Sequence, residues 1–149
     1  MFLKKSSAAA VALYLAMAGG MMACKDEQVK TLAKTTRAVY DSCEVIYEDV
    51  VAMSLAGRIT KDQETAILTA LKKILIADKA ANAMVEPLVN LDPKTKVDLL
   101  RLMDPVLVII DDVVHTDLVN IKDEAVRNKI STALAGIRLS IQAALMVLK

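Results

Sequence analysis

Residues 25–57 read KDEQVKTLAKTTRAVYDSCEVIYEDVVAMSLAG, and this stretch decides the fold. Val29, Leu32, Thr36, Val39, Cys43, Ile46, Val50 and Met53 follow one another at alternating steps of three and four. Such steps put side chains on one stripe of an α-helix, because about 3.6 residues complete a turn. The regular stripe is the a/d seam of a helix that packs against others. Gly57 follows its last member, and glycine best adopts the left-handed conformation that closes a helix C-terminus. The spacing predicts a helix from about Lys25 to Ala56.

The same period recurs three times downstream. Thr60-Lys61-Asp62-Gln63 is a capping box, in which the Thr60 hydroxyl and Gln63 amide satisfy free backbone N–H groups. It opens a second helical segment carrying Ile67, Ala70, Ile74, Ala77, Ala81 and Met84, and Pro87 stops it. Asp92-Pro93 supplies an N-cap acceptor and a proline at the first helical position of a third segment, which runs to about Val119. Pro105 lies inside it and predicts a kink or split near Arg101–Asp104. Asn120 is expected to take a left-handed cap, and Asp123 then caps a fourth segment with Ile130, Leu134, Ile137, Ile141, Ala144 and Leu148. Long helices joined by short links must be antiparallel neighbours. The chain is expected to be all-α, an up-down-up-down antiparallel four-helix bundle.

Sliding the chain by 63 residues lays the second pair of helices over the first. Fourteen of the 46 ungapped pairs, 41–86 against 104–149, are identical. Val45-Ile46 meets Val108-Ile109, Asp49-Val50-Val51 meets Asp112-Val113-Val114, and the cap positions Thr60 and Asp123 coincide. The pattern predicts two duplicated helical hairpins, 24–86 and 87–149, related by a pseudo-two-fold axis.

Composition narrows the function. Without Lys4 and Lys5 the chain has 17 Lys or Arg against 18 Asp or Glu, so it lacks the electrostatic footprint of a nucleic-acid binder. Cys43 is the only cysteine besides Cys24. Nineteen residues of continuous helix would separate their Cα atoms by roughly 28 Å, beyond the ~7 Å limit of a disulfide. Cys43 is expected to act as a small core hydrophobe.

Ahead of the first helix the chain opens Met1-Phe2-Leu3-Lys4-Lys5, continues through an apolar stretch from Ala8 to Ala23, and reaches Cys24. A basic start, an apolar middle and a small residue at the junction are the marks of a secretory signal. Residues 1–24, with Met21-Met22-Ala23-Cys24 at the junction, resemble a bacterial lipoprotein signal peptide. The resemblance implies cleavage before Cys24, removal of residues 1–23 and lipidation of the Cys24 thiol. It implies an extracytoplasmic, membrane-attached protein, with Lys25 leaning towards the outer membrane or cell surface because the family's retention signal is an Asp there. Simple cleavage after Ala18 or Ala23 would instead give a soluble periplasmic or secreted protein, and an uncleaved span remains a third possibility.

Catalysis needs a base, a nucleophile or a metal site. His115 is the sole histidine. Asp112 and His115, with Glu48-Asp49 as counterparts, are the only metal candidates, and a di-iron bundle would need a second Glu-x-x-His motif where Ala52 stands. A solvated polar face is the expectation. No Cys-x-x-Cys-His haem motif, glycine-rich phosphate loop or nucleophile–base arrangement occurs, so no cofactor and no enzyme activity are expected.

The third and fourth segments carry more apolar surface than a bundle stripe needs. Val106, Val108, Ile109, Val113, Leu145 and Met146 form a candidate interaction surface for a protein partner or for self-association. A deep, kinked third helix burying both sides is the competing account. Thr132, Gly136, Ser140 and Ala144 add a row of small residues that permits close helix approach. The expected function is an exported, lipid-anchored, non-catalytic binding or scaffold module. The alternatives are a carrier holding a lipid or small cofactor within the bundle and, more weakly, a metal-dependent enzyme.

Overall fold

The computed structural model describes residues 25–149, all of whose regular structure is helical. The signal-like stretch and Cys24 lie outside the described residues. Helix α1 spans Glu27–Leu55, α2 Lys61–Val85, α3 Pro93–Asp112 and α4 Glu124–Leu148. A π turn at Val113–Asp117 and a 3-10 turn at Leu118–Asn120 extend α3. Helix α1 packs beside α2 and α4, and α3 packs beside the same two, so the bundle closes as a square with α1 opposite α3. This is the expected all-α, up-down-up-down four-helix bundle.

Each helix start is fixed by the residue the sequence offers. The Asp26, Asp92 and Asp123 carboxylates accept from the amides of Gln28, Thr95 and Val126 at 3.0–3.1 Å. Thr60 and Gln63 complete the capping box, at 3.2 Å and 2.8 Å. At the end of α1, Gly57 takes φ +70°, and the amides of Gly57 and Arg58 donate to the Ser54 and Met53 carbonyls. That pair of bonds is a Schellman motif, which satisfies carbonyls the helix leaves open.

The end of α3 departs from expectation in two ways. Asn120 is not left-handed, since Gly57 alone among the described residues has positive φ. Its side-chain amide instead donates to the Thr116 carbonyl at 2.8 Å, doing by side chain what α1 does by backbone. Helix α3 also runs through Pro105, and the interruption falls at Val113 rather than Arg101–Asp104. Pro105 is exposed, so its missing N–H lies where water can serve the freed carbonyl.

The core contains every stripe residue named above for α1 and α4. On α2 the buried line is Ile67, Leu71, Ile74, Asp78, Ala81 and Val85, while Ala77 and Met84 are only half-buried. Helices α2 and α4 have the same length, 25 residues each, displaced by the 63 residues of the internal match. Their buried positions pair as Ile67 with Ile130, Leu71 with Leu134, Ile74 with Ile137, and Ala81 with Ala144. The starts of α1 and α3 break the match, because Asp92 caps three residues later than a 63-residue shift of Asp26.

The two turns at the far end are joined. Arg58 pairs with Asp123 at 2.8 Å, and the Gln63 amide donates to the Asn120 carbonyl at 3.0 Å. Val126 and Arg58 hold the Asp123 carboxyl below the usual carboxylate range, the backbone bond contributing most.

Candidate functional site

The six apolar residues proposed for an interaction surface separate. Val106, Val113 and Leu145 are core residues, and Ile109 is half-buried against them. Val106, Ile109 and Val113 turn inward because α3 is wedged between α2 and α4, so much of its surplus apolar surface faces neighbours on both flanks, and Leu145 belongs to the core face of α4. Val108 and Met146 remain exposed, at 60% and 80%. The surface as first drawn is therefore corrected to these two positions.

A different face of α4 is the one left open. Thr132, Ala135, Gly136, Leu139, Gln142, Ala143 and Met146 are all exposed. Their steps of three, four and seven put them on one outward stripe, without a charge along about 21 Å of helix. The cations that flank the stripe are engaged sideways: Lys129 pairs with Asp49 of α1 at 2.8 Å, and Arg138 pairs with Asp111 of α3. Leu139 is 66% exposed. Gly136 sits mid-helix, where a Cβ would meet nothing within 4 Å, so neither backbone conformation nor internal packing requires glycine there. Helix α4 is also the one described helix long and apolar enough to cross a membrane, though its other face supplies seven core residues from Ile130 to Leu148.

Asp112 and His115 are both exposed, and the change from α to π winding at Val113 falls between them. Among the described residues no group of three or more His, Cys, Asp or Glu side chains is placed to hold a metal ion. Asp112 instead borders an open cleft of about 290 Å³ between α2 and α3, with Thr69, Lys73, Ile109 and Asp117. Its size falls at the low edge of small-molecule sites, which run from about 300 Å³.

The feature that sequence reasoning missed is polar and buried. Asp78 is 5% exposed, and its Oδ1 has no hydrogen-bond partner. Burial pushes its carboxyl up to about 7. Cys43 is free and buried close by; burial, and then the Asp78 charge, push its thiol up to about 12. On the same α1–α2 interface the Thr36 hydroxyl donates to the Asn82 side-chain oxygen at 3.0 Å. The 63-residue match hinted at Asp78, because its counterpart is the core residue Ile141.

No family model, no curated protein and no solved structure matches this chain.

Proposed function

We propose that the protein is an exported, lipid-anchored helical bundle that acts as a non-catalytic binding or scaffold module, engaging another helix through the outer face of α4. The observation that carries the binding role is Gly136 within a charge-free stripe. Glycine inside a helix costs about 1 kcal/mol relative to alanine, and no contact among the described residues offsets it. Small residues let a second helix approach closely, and Leu139 and Met146 on the same stripe supply apolar area to bury. The anchoring role rests on the likeness of residues 1–24 to a lipoprotein signal.

Light scattering over a concentration series tests the binding face. A mass that rises towards the dimer for wild type, but stays monomeric for Leu139→Glu with an unchanged melting curve, supports self-association through α4. A monomer at every concentration removes the second copy as partner. For the anchor, wild-type and Cys24→Ala chains are fractionated and weighed by mass spectrometry. Identical membrane retention and identical mass after export would sink lipidation.

A further inference from the structure

The start of α1, the α2–α3 loop, the first turn of α3 and the last turn of α4 share one end of the bundle, because the helices alternate in direction. Two contacts tie the incoming chain to that loop. The Asp26 amide donates to the Val89 carbonyl at 2.8 Å, and the Lys25 ammonium donates to the Glu86 carbonyl. Lys25, the residue that follows Cys24 in the sequence, is thus tied to this end of the bundle. A lipid on Cys24 would therefore bring this end of the bundle to the bilayer with almost no slack.

Charge divides along the same axis. With each helix cut at its middle, the half that includes this end comprises 25–40, 74–106 and 137–149, with ten Lys or Arg against seven Asp or Glu. The far half, 41–73 and 107–136, has seven against eleven. Several acids in the near half are occupied: Asp26 and Asp92 cap helices and Glu27 pairs with Lys30. Five of its seven lysines are not. Lys34, Lys79, Lys94, Lys96 and Lys149 have no ion-pair partner among the described residues. Apolar side chains stand out beside them, with Val89 54% exposed at the loop and Met146 80% exposed near the end of α4.

We propose that this end, built from Val89, Lys94, Lys96, Lys149 and Met146, rests on an anionic phospholipid surface. The tether's position rests on the reading of Cys24 as the lipidated residue; the charge division and the exposed side chains stand without it. Basic groups are drawn to an anionic leaflet within a Debye length of about 8–10 Å. Val89 and Met146 reach the apolar boundary between headgroups and acyl chains. The acidic half is held away from the same leaflet by its charge.

The test uses the chain from residue 24 with Cys24→Ser, which has no lipid and retains the complete core of residues 29–148. It is sedimented with vesicles of phosphatidylcholine alone and with vesicles of equal parts phosphatidylcholine and phosphatidylglycerol. Binding is expected only to the second kind, and molar salt is expected to abolish it. Lys94→Glu, Lys96→Glu and Lys149→Glu together should weaken it about a hundred-fold, at roughly five-fold per lysine. Reversal of Lys72, Lys73 and Lys122 in the far half should leave it unchanged, and circular dichroism checks that every variant remains folded. Equal binding to both vesicles, or none to either, overturns the proposal. So does binding that ignores the three end lysines and is lost with Leu139→Glu, which would mean that α4 lies sideways on the membrane. Failure of the lipidation reading is seen separately, as wild-type Cys24 with no added lipid mass, and leaves this vesicle binding intact.

Discussion

A carboxylate at position 78 and a thiol at position 43 share the interface of α1 and α2, and both are withdrawn from water. The folded Asp78 pKa of about 7 lies above the ordinary aspartate value of about 3.9. The folded state therefore binds the extra proton, and Asp78 carries no charge-burial cost below about pH 4. Its cost grows as pH rises from about 4 to 7 and is constant above that. Melting curves between pH 4 and pH 8 should show wild-type stability falling through this window, after allowance for the capping aspartates, which act in the opposite direction at lower pH. Asp78→Leu should be more stable than wild type at pH 8, by about 1–3 kcal/mol, the cost of an unsatisfied buried polar group. Cys43 should resist a thiol reagent in the folded Cys24→Ser chain and react once denaturant is added; mass spectrometry reads both. Asp78 escaped the periodicity because a stripe chosen for apolar residues passes through Ala77, one position away, and only its alignment with Ile141 in the internal match pointed to it.

The elements show how similar helix ends are solved by different chemistry. Gly57 adopts φ +70°, and Gly136 has open space around it and no such φ. Gly57→Ala should cost about 1–2 kcal/mol, since a Cβ is strained in the left-handed region. Gly136→Ala should instead stabilise the isolated protein by about 0.5–1 kcal/mol. Chemical denaturation of both variants distinguishes the two glycines, and opposite signs are the expected result. Three helix starts were legible, because Thr60, Asp92 and Asp123 each reach a backbone amide three residues ahead; Asp26, which caps α1 by reaching Gln28, was not read as a cap. The end of α3 was not legible. Its π turn places both Val113 and Leu118 in the core, and no local motif in the sequence marks it.

At the scale of the whole molecule, the four-helix architecture followed from period, caps and short links, whereas the interaction face did not. Four of the six residues first assigned to it turn inward: Val106, Ile109 and Val113 because α3 lies between two neighbours, and Leu145 on the core face of α4, which the periodicity of one helix cannot register. Helices α2 and α4 match in length and burial, whereas α1 has 29 residues and α3 has 20, so duplication of a hairpin stands as a proposal with its own prediction. Residues 25–86 alone expose half a core, so they should gain helicity with concentration and sediment as a dimer. A stably folded monomer would count against it. The hydrogen bond from Asp26 to Val89 has a mechanical meaning as well. Anchored at Cys24, the bundle would behave as a stiff post rather than a ball on a string. The turn where Arg58 meets Asp123 would ride about 37 Å above the bilayer, the length of the 25-residue α4 at 1.5 Å per residue. Its encounters would then be a search in two dimensions, confined to partners that reach that height.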